Sequence, residues 1–454
     1  MVTLEALELA PALTVGAPLV LAYGTTAVRY AMVDAEQRAV MRKAWAIRST
    51  WRRTAARVGL IQTDHAAKVG ADIPLPAELR RTGEAPKVLV PKIRVHVERW
   101  GLRIEVETLG RLGLGEFQAA ADYLADAWRV PLVRVERSKP GFIRIRALLR
   151  DPLTVPTDYT PAGAVDLDSW HVGHDQDGQP VTVRCSGVSG VVVAGLSGYG
   201  KTSLINTRIS QLAVSGAVQF VMIDGKGGPD YDDLFARAWL ACKDELTEVR
   251  DRLGKVHRLM LLRQTGIKTV LGTKNMWSVG PSEAWPLVVV IVDEAHTFFN
   301  ETKTDKERDK LTAEIARMVE ELIRKGRNVG IQVILATQKA TGDAIPTRIR
   351  DNCQVAISFA QRTSEAAVAA LGSDIADYPE SHPRRLQHAD YIGVASMVAE
   401  ARRGFTLVRT PYTSDDTAES IVEQTSHLVA DPLALIDYQL RGLHTVDDDT
   451  AEAA

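Results

Sequence analysis

The chain has 454 residues, enough for two or three domains, and its 45% apolar and 25% charged side chains exclude a wholly disordered or low-complexity protein. A formal net charge of −2 excludes a uniformly basic nucleic-acid binder, while leaving room for a local basic lining at a pore. Cys185, Cys242 and Cys353 stand too far apart for a metal-binding spacing, and read as buried small hydrophobes in a reducing compartment.

Residues 9–28 carry no charge and have about the length of a bilayer span, although Pro11, Gly16, Pro18 and Gly24 interrupt them. Eight basic residues follow between Arg29 and Arg57, against only Asp34 and Glu36, a bias that would keep this flank cytoplasmic. Two readings stay open: a segment that enters or touches a membrane, or a helix or extension of the protein itself. Residues 31–58 predict a basic helix carrying Trp45 and Trp51. It would suit an anionic membrane surface, a DNA backbone or a solvated linker equally well. Residues 1–60 are therefore one expected segment, and the polar, proline-containing stretch 61–90 is a linker.

Alternation then begins. Ile93, Val95 and Val97 alternate with polar residues, as do Leu102, Ile104 and Val106 after Trp100-Gly101, predicting a hairpin with one wet face. A helix with Phe117, Ala121, Leu124 and Trp128 on one side follows, then strands at 132–135 and 142–145 around the turn Lys139-Pro140-Gly141. Residues 91–150 thus predict a small β-β-α-β-β module. The Asp-, Gly- and Pro-rich stretch 151–180 reads as a transition ending in a hairpin turn. Residues 181–412 form the main α/β domain, and 413–454 an acidic C-terminal helix followed by a disordered tail from Asp447.

Within the main domain, Gly195-Leu196-Ser197-Gly198-Tyr199-Gly200-Lys201-Thr202 fits G-x-x-x-x-G-K-[ST], between an apolar strand (191–194) and a helix (203–212). This is the pattern and context of a phosphate-binding loop. Gly195, Ser197, Gly198, Tyr199, Gly200, Lys201, Thr202 and Ser203 would bind the nucleotide. Lys201 would reach the β- and γ-phosphates, and the Thr202 hydroxyl would hold Mg²⁺. The apolar run 287–292 ends in Asp293-Glu294-Ala295-His296. Asp293 at a buried strand end suits the metal and Glu294 the attacking water, which points to ATP hydrolysis. His296 completes the string either as a site residue or as a polar contact. A third strand ends in Thr337-Gln338, with Gln338 as phosphate sensor or water-orienting group.

The helix around 307–327 ends in Arg324-Lys325-Gly326-Arg327. These charges either complement the helix dipole or reach a phosphate of a neighbouring subunit as an arginine finger. Arg324 and Arg327 are preferred for the second role over Arg348 and Arg350. A strand ending in Asp224-Gly225-Lys226 adds charged groups at the same kind of sheet edge, as ligand contacts or as a plain turn. The helix at 243–264, with Leu246, Val249, Leu253, Val256 and Met260 in a stripe, reads as core.

Taken together, the strings at 191–203, 222–228, 288–295, 324–339 and 349–359 resemble the FtsK/SpoIIIE family of DNA-pumping ATPases. The W-G-L-R-I-E-V, L-G-L-G-E-F-Q-A-A-A-D and R-D-P-L strings around the small module resemble actinobacterial plasmid transfer (Tra) proteins. The resemblance implies a RecA-like phosphate-loop domain with a mostly parallel central sheet, using ATP and Mg²⁺. It further implies a hexameric ring that moves double-stranded DNA in conjugative plasmid transfer, at the cytoplasmic face of the membrane. The chain departs from the family pattern at Gly225, at Lys339-Ala340 and at 371–377. About 40 residues after the core leave no room for the family's C-terminal winged-helix DNA reader. The competing readings are a protein-export ATPase of the type VII secretion kind and a membrane-bound interaction protein switched by nucleotide.

Overall fold

The computed structural model describes residues 30, 32–64, 87–161, 165–300, 302, 304–338, 344–398 and 404–451, with Glu36, Asp64, Lys87 and 442–451 described by backbone alone. The uncharged segment 9–28 and most of the expected linker lie outside these residues. Among the described residues no helix is long and apolar enough to cross a membrane. The chain divides into two compact units that meet in sequence between Asp151 and Pro152.

The first unit opens with helix α1 (Ala35–Arg57), capped by Asp34, whose carboxylate accepts the Gln37 amide at 2.7 Å. Val40, Ala44, Ile47, Trp51 and Ala55 recur at helical spacing and are all buried. The Trp51 indole donates to the Pro91 carbonyl at 2.7 Å. Short strands β1 (Gln62–Asp64) and β2 (Lys87–Leu89) pair antiparallel. A four-stranded antiparallel sheet follows, built from β3 (Ile93–Glu98), β4 (Gly101–Glu107), β5 (Leu132–Lys139) and β6 (Phe142–Leu148) in the order β3-β4-β6-β5. Helices α2 (Leu114–Ala119) and α3 (Ala121–Trp128) bury Phe117, Leu124 and Trp128 in the same core as α1. The β-β-α-β-β order is as expected, with its helical part split in two.

The position of α1 narrows the expectation for residues 31–58. Its apolar stripe covers the module's own sheet, so it is not a solvated linker. Only its outer side, with Arg52, Arg53 and Arg57, meets water, and Trp45 on that side stacks on Tyr30 with ring centroids 5.7 Å apart.

The second unit is a ten-stranded sheet in the order β11-β10-β12-β13-β9-β14-β15-β16-β7-β8. Its strands are β7 (Ser169–Asp175), β8 (Pro180–Arg184), β9 (Gly190–Ala194), β10 (Val218–Asp224) and β11 (Ala238–Cys242). They continue with β12 (Leu287–Asp293), β13 (Ile331–Thr337), β14 (Val355–Ser358), β15 (Val394–Val398) and β16 (Phe405–Arg409). The strands from β11 to β14 in that order are parallel; the remaining neighbours pair antiparallel. Strand β7 falls in the expected transition, and the hairpin β7–β8 is instead an integral edge of this sheet.

Helices cover both faces, which is why β9, β10, β12 and β13 are apolar along their length rather than alternating. On one face lie α4 (Lys201–Ala213) and α9 (Asp415–Thr425). On the other lie α5 (Leu246–Leu271), α6 (Lys306–Lys325) and the start of α10 (Pro432–Ala451). Two shorter helices, α7 (Thr347–Arg350) and α8 (Ser364–Leu371), flank β14. Helix α10 extends to Ala451, so the tail expected from Asp447 is helical over most of its length. Cys185 and Cys242 are buried as expected, whereas Cys353 is half-buried.

A fully buried arginine closes the sheet edge remote from the phosphate loop. Arg263 on α5 donates to the carbonyls of Val329 and Pro286, both at 2.9 Å, and lies over the Trp285 ring. Burial pulls its pKa down to about 9. It ties together the chain entering β12 and β13.

Leu253 is 1% exposed and sits in the α5–α6 layer. Replacing it with alanine is expected to cost about 2–5 kcal/mol, read as a lower urea midpoint with an unchanged slope.

Candidate functional site

The loop after β9 is shaped by its glycines. Gly195 has φ +152°, and a Cβ there would lie 2.6 Å from the Phe359 Cβ. Gly200, at φ +111°, is the residue from which α4 springs. The free amides and positive dipole end of this 13-residue helix face the loop, an arrangement suited to phosphate. Lys201 is buried, and its ammonium donates to the carbonyls of Gly195 at 2.8 Å and Leu196 at 3.1 Å. Burial lowers its pKa, opposed by the negative charges of Glu294 and Asp293.

Asp293 is the last residue of β12, and its carboxylate accepts the Glu294 amide at 2.9 Å. Burial pushes its pKa up, partly offset by that hydrogen bond. Asp224 ends β10 on the same rung. One of its oxygens accepts the Lys226 amide at 2.9 Å; the other, though buried, has no hydrogen-bond partner among the described residues. The buried Tyr231 hydroxyl faces Asp293 without closing a hydrogen bond of normal geometry, and burial raises its pKa well above the usual tyrosine value.

Glu294 adopts a left-handed conformation, φ +46° and ψ +44°, which is costly for a residue with a side chain. The turn aims its carboxylate across the strand ends. One oxygen accepts the Gln338 amide at 3.1 Å and lies 3.2 Å from the His296 Nδ1. His296 Nδ1 is also 3.4 Å from the Thr337 hydroxyl, so the expected D-E-A-H string and the Thr337-Gln338 strand end are directly coupled.

These groups share one cavity of about 640 Å³, within the size range of small-molecule sites. Ser197, Gly198, Gly200, Lys201, Thr202 and Ser203 line it from the loop, and Lys226, Asp293, Glu294 and Gln338 from the neighbouring strand ends. Two expected binding residues do not line it. Gly195 acts by allowing close approach to Phe359, and Tyr199 turns away, its hydroxyl donating to the Gln387 carbonyl at 2.8 Å.

Arg324 and Arg327 are not brought to the cavity either. Both precede β13, and its seven residues, at about 3.3 Å each, put roughly 20 Å between them and the Gln338 end. Arg324 lies 4.0 Å from Glu320. Arg348 pairs with Glu320 at 3.0 Å, and Arg350 donates to the Ala369 carbonyl at 3.0 Å.

The far wall of the cavity, including Pro156, Ile392, Arg409 and Tyr412, escaped the sequence reading. It comes from separate segments whose residues have no shared spacing. Tyr231 was missed for the same reason.

The donors fit Mg²⁺. The Thr202 hydroxyl and the Asp293 carboxylate are hard oxygen ligands in the same cavity, and Asp224, with one carboxylate oxygen lacking a hydrogen-bond partner among the described residues, ends the strand next to that of Asp293. Among the described residues there is no cluster of three or more His, Cys, Asp or Glu of the kind that cages a metal. Mg²⁺ commonly takes one or two protein ligands and fills its shell with phosphate and water.

The raised pKa of Asp293 has a sign for stability. An acid held above its unfolded value favours the fold while protonated, below that unfolded value. The benefit is lost as pH rises through the folded value, so at neutral pH the ionised carboxylate opposes folding. Asp293→Asn is therefore expected to keep or raise the thermal midpoint of the protein alone, while removing the further rise given by Mg²⁺ with ATP.

Residues 167–341 match the family model described as "FtsK/SpoIIIE family". Among curated proteins, the DNA translocase FtsK of Leptospira interrogans is 25% identical over 268 residues, covering 56% of this chain and 26% of that protein. The DNA translocase FtsK of Halalkalibacterium halodurans is 24% identical over 371 residues, covering 76% of this chain and 44% of that protein. The chain thus spans less than half the length of either. Among solved structures, the pCW3 conjugation coupling protein TcpA, in its monomer form with ATPγS, superposes with a TM-score of 0.51 at 16% identity, covering 74% of this chain and 94% of that one. At that identity the likeness concerns the fold: a RecA-like phosphate-loop architecture. The loop, the paired acids and the Gln338 strand end all fall inside the segment, residues 167–341, that matches the FtsK/SpoIIIE family model.

Proposed function

We propose that the chain is an ATP hydrolase that drives movement of double-stranded DNA, in a ring of identical subunits, during conjugative plasmid transfer. The observation that carries the hydrolytic part is the convergence of Lys201, Asp293, Glu294 and Gln338 on one cavity at the N-terminus of α4. The DNA substrate is supported by the family match and by the named activity of the curated relatives. The transfer context is supported by the resemblance of the small module to plasmid transfer proteins. An N-terminal segment at 1–60 would hold the motor at the cytoplasmic face of the membrane.

In this reading the triphosphate lies against the loop amides, and Lys201 exchanges its two carbonyl partners for β- and γ-phosphate oxygens. Thr202 and Asp293 would hold Mg²⁺, which would supply charge neutralisation on the phosphates. Glu294 accepts a proton from the water that attacks the γ-phosphorus, as the bond to the β–γ bridging oxygen breaks and ADP leaves. Gln338 is tied to Glu294 through its backbone and orients that water or reads the phosphate. A carboxylate held in a strained backbone turn supports turnover over simple switching, since a switch has no need to position a base.

Arg324 or Arg327 would complete the site of a neighbour. Their place at the opposite sheet edge supports a role in trans, because no rotamer spans roughly 20 Å within one chain.

Steady-state ATPase assays with and without duplex DNA test this reading. Wild-type turnover is expected to rise with duplex DNA, and with protein concentration until the ring is complete. Lys201→Ala is expected to abolish turnover, and Glu294→Gln to lower kcat by about 10²–10⁴-fold while ATP still binds. Turnover indifferent to duplex DNA of every length would remove the translocase reading. In the same assay, Arg324→Ala or Arg327→Ala is expected to lower kcat by about 10³-fold or more, with ATP affinity kept. Mixing either protein with Lys201→Ala subunits should restore activity, because each then supplies what the other lacks; absence of rescue would place the arginines outside the reaction.

A further inference from the structure

The cavity is longer than the phosphate loop needs, and its two ends differ in chemistry. Asp293, Glu294 and Gln338 lie at the end toward β12 and β13, on one side of β9. On the other side of β9, toward β15 and β16, Pro156, Ile392 and Tyr412 add apolar surface among the polar Thr157, Asp390 and Thr410. Ile392 is 47% and Tyr412 56% exposed, so both present apolar surface to the cavity.

Tyr412 is held in place by its backbone. Its amide donates to the Thr157 carbonyl and its own carbonyl accepts from the Tyr159 amide, both at 2.8 Å. Asp158 and Tyr412 thereby form a parallel bridge. The ring is free to lie against a ligand while its Cα is locked.

The rest of this wall is fastened by one buried side chain. Arg409 donates to the carbonyls of Leu153, Ile392 and Asp390, each at 2.6 Å. It joins the strap at 152–157 to the turn at 389–393. That turn is braced on the phosphate loop: Gly393 donates its amide to the Tyr199 carbonyl at 3.0 Å, and a Cβ on Gly200 would lie 3.0 Å from the Gly393 Cα. The wall and the loop therefore form one preformed unit.

We propose that this wall is the nucleobase subsite, with Tyr412 stacking on the base and Arg409 acting as the positioning residue that holds the wall. A nucleotide whose γ-phosphate faces Glu294 extends its base in the opposite direction along the cavity, toward Tyr412. A stacking platform recognises a π-face rather than an edge, so it favours purine over pyrimidine nucleotides without reading a particular purine. The inference rests on the proposed nucleotide site but makes a separate claim about which residues feel the base.

Equilibrium binding of ATP and of inorganic tripolyphosphate separates the two. Tripolyphosphate keeps the phosphate contacts and lacks the base. Tyr412→Ala is expected to raise the Kd for ATP about tenfold or more while leaving that for tripolyphosphate within about twofold. Tyr412→Phe should bind both as the wild type does. Wild-type protein should also prefer ATP and GTP over CTP and UTP, and Tyr412→Ala should flatten that preference. The Tyr412 ring is half exposed and its hydrogen bonds are made by the backbone, so an unchanged thermal midpoint is expected for Tyr412→Ala. An unchanged ATP Kd in that variant, or an equal loss for tripolyphosphate, overturns the subsite. Failure of wild-type protein to bind either compound overturns the nucleotide site itself, and the subsite with it.

Discussion

Everything at the site depends on the parallel register of three neighbouring strands. Val292 on β12, Leu335 on β13 and Val192 on β9 sit on one rung. Because the strands run the same way, their C-terminal ends reach the same sheet edge together. The phosphate loop, the Asp293-Glu294 turn and the Thr337-Gln338 turn therefore open into one volume. A shift of one residue in either pairing would move a cavity-lining side chain to the opposite face of the sheet. The register is held by two apolar layers of helices, with Arg263 tying the opposite ends of β12 and β13.

The same edge concentrates buried acids and backbone strain. Asp224 and Asp293 end adjacent strands on one rung, Lys201 is buried with its ammonium on backbone carbonyls, and Glu294 stands in a left-handed turn. Each of these costs folding free energy in the absence of ligand. They are tolerated because the neighbouring strand interiors are fully buried apolar runs. A triphosphate with a divalent cation would relieve several at once, giving Lys201 its anion and Asp293 and Thr202 their cation. Unfavourable electrostatics before binding thus mark the place where charge is to be received.

The antiparallel half of the sheet has a different task. Strands β15 and β16 and the segments flanking them build the wall opposite Glu294. Arg409 spends its guanidinium on three backbone carbonyls, which fixes the wall before any ligand arrives. In the small first unit the pattern is plainer: α1, α2 and α3 cover one face of a four-stranded sheet, and its other face carries charge pairs such as Arg103 with Glu98 and Arg146 with Glu98.

The sequence alone determined the phosphate loop, the buried strand before the acid pair, the strand before Gln338 and the order of elements in both units. These are local: glycine spacing, apolar runs and caps act over a few residues, so they can be read along the chain. Only the tertiary structure decided that α1 belongs to the small module, because a stripe of Val40, Ala44, Ile47, Trp51 and Ala55 does not say what it faces. The same holds for β7 and β8, whose place beside β16 is a long-range pairing, and for Arg409 and Tyr412, which meet the cavity alongside residues far away in sequence. Strand order and side-chain convergence are set by packing between distant parts of the chain, and no local pattern encodes them.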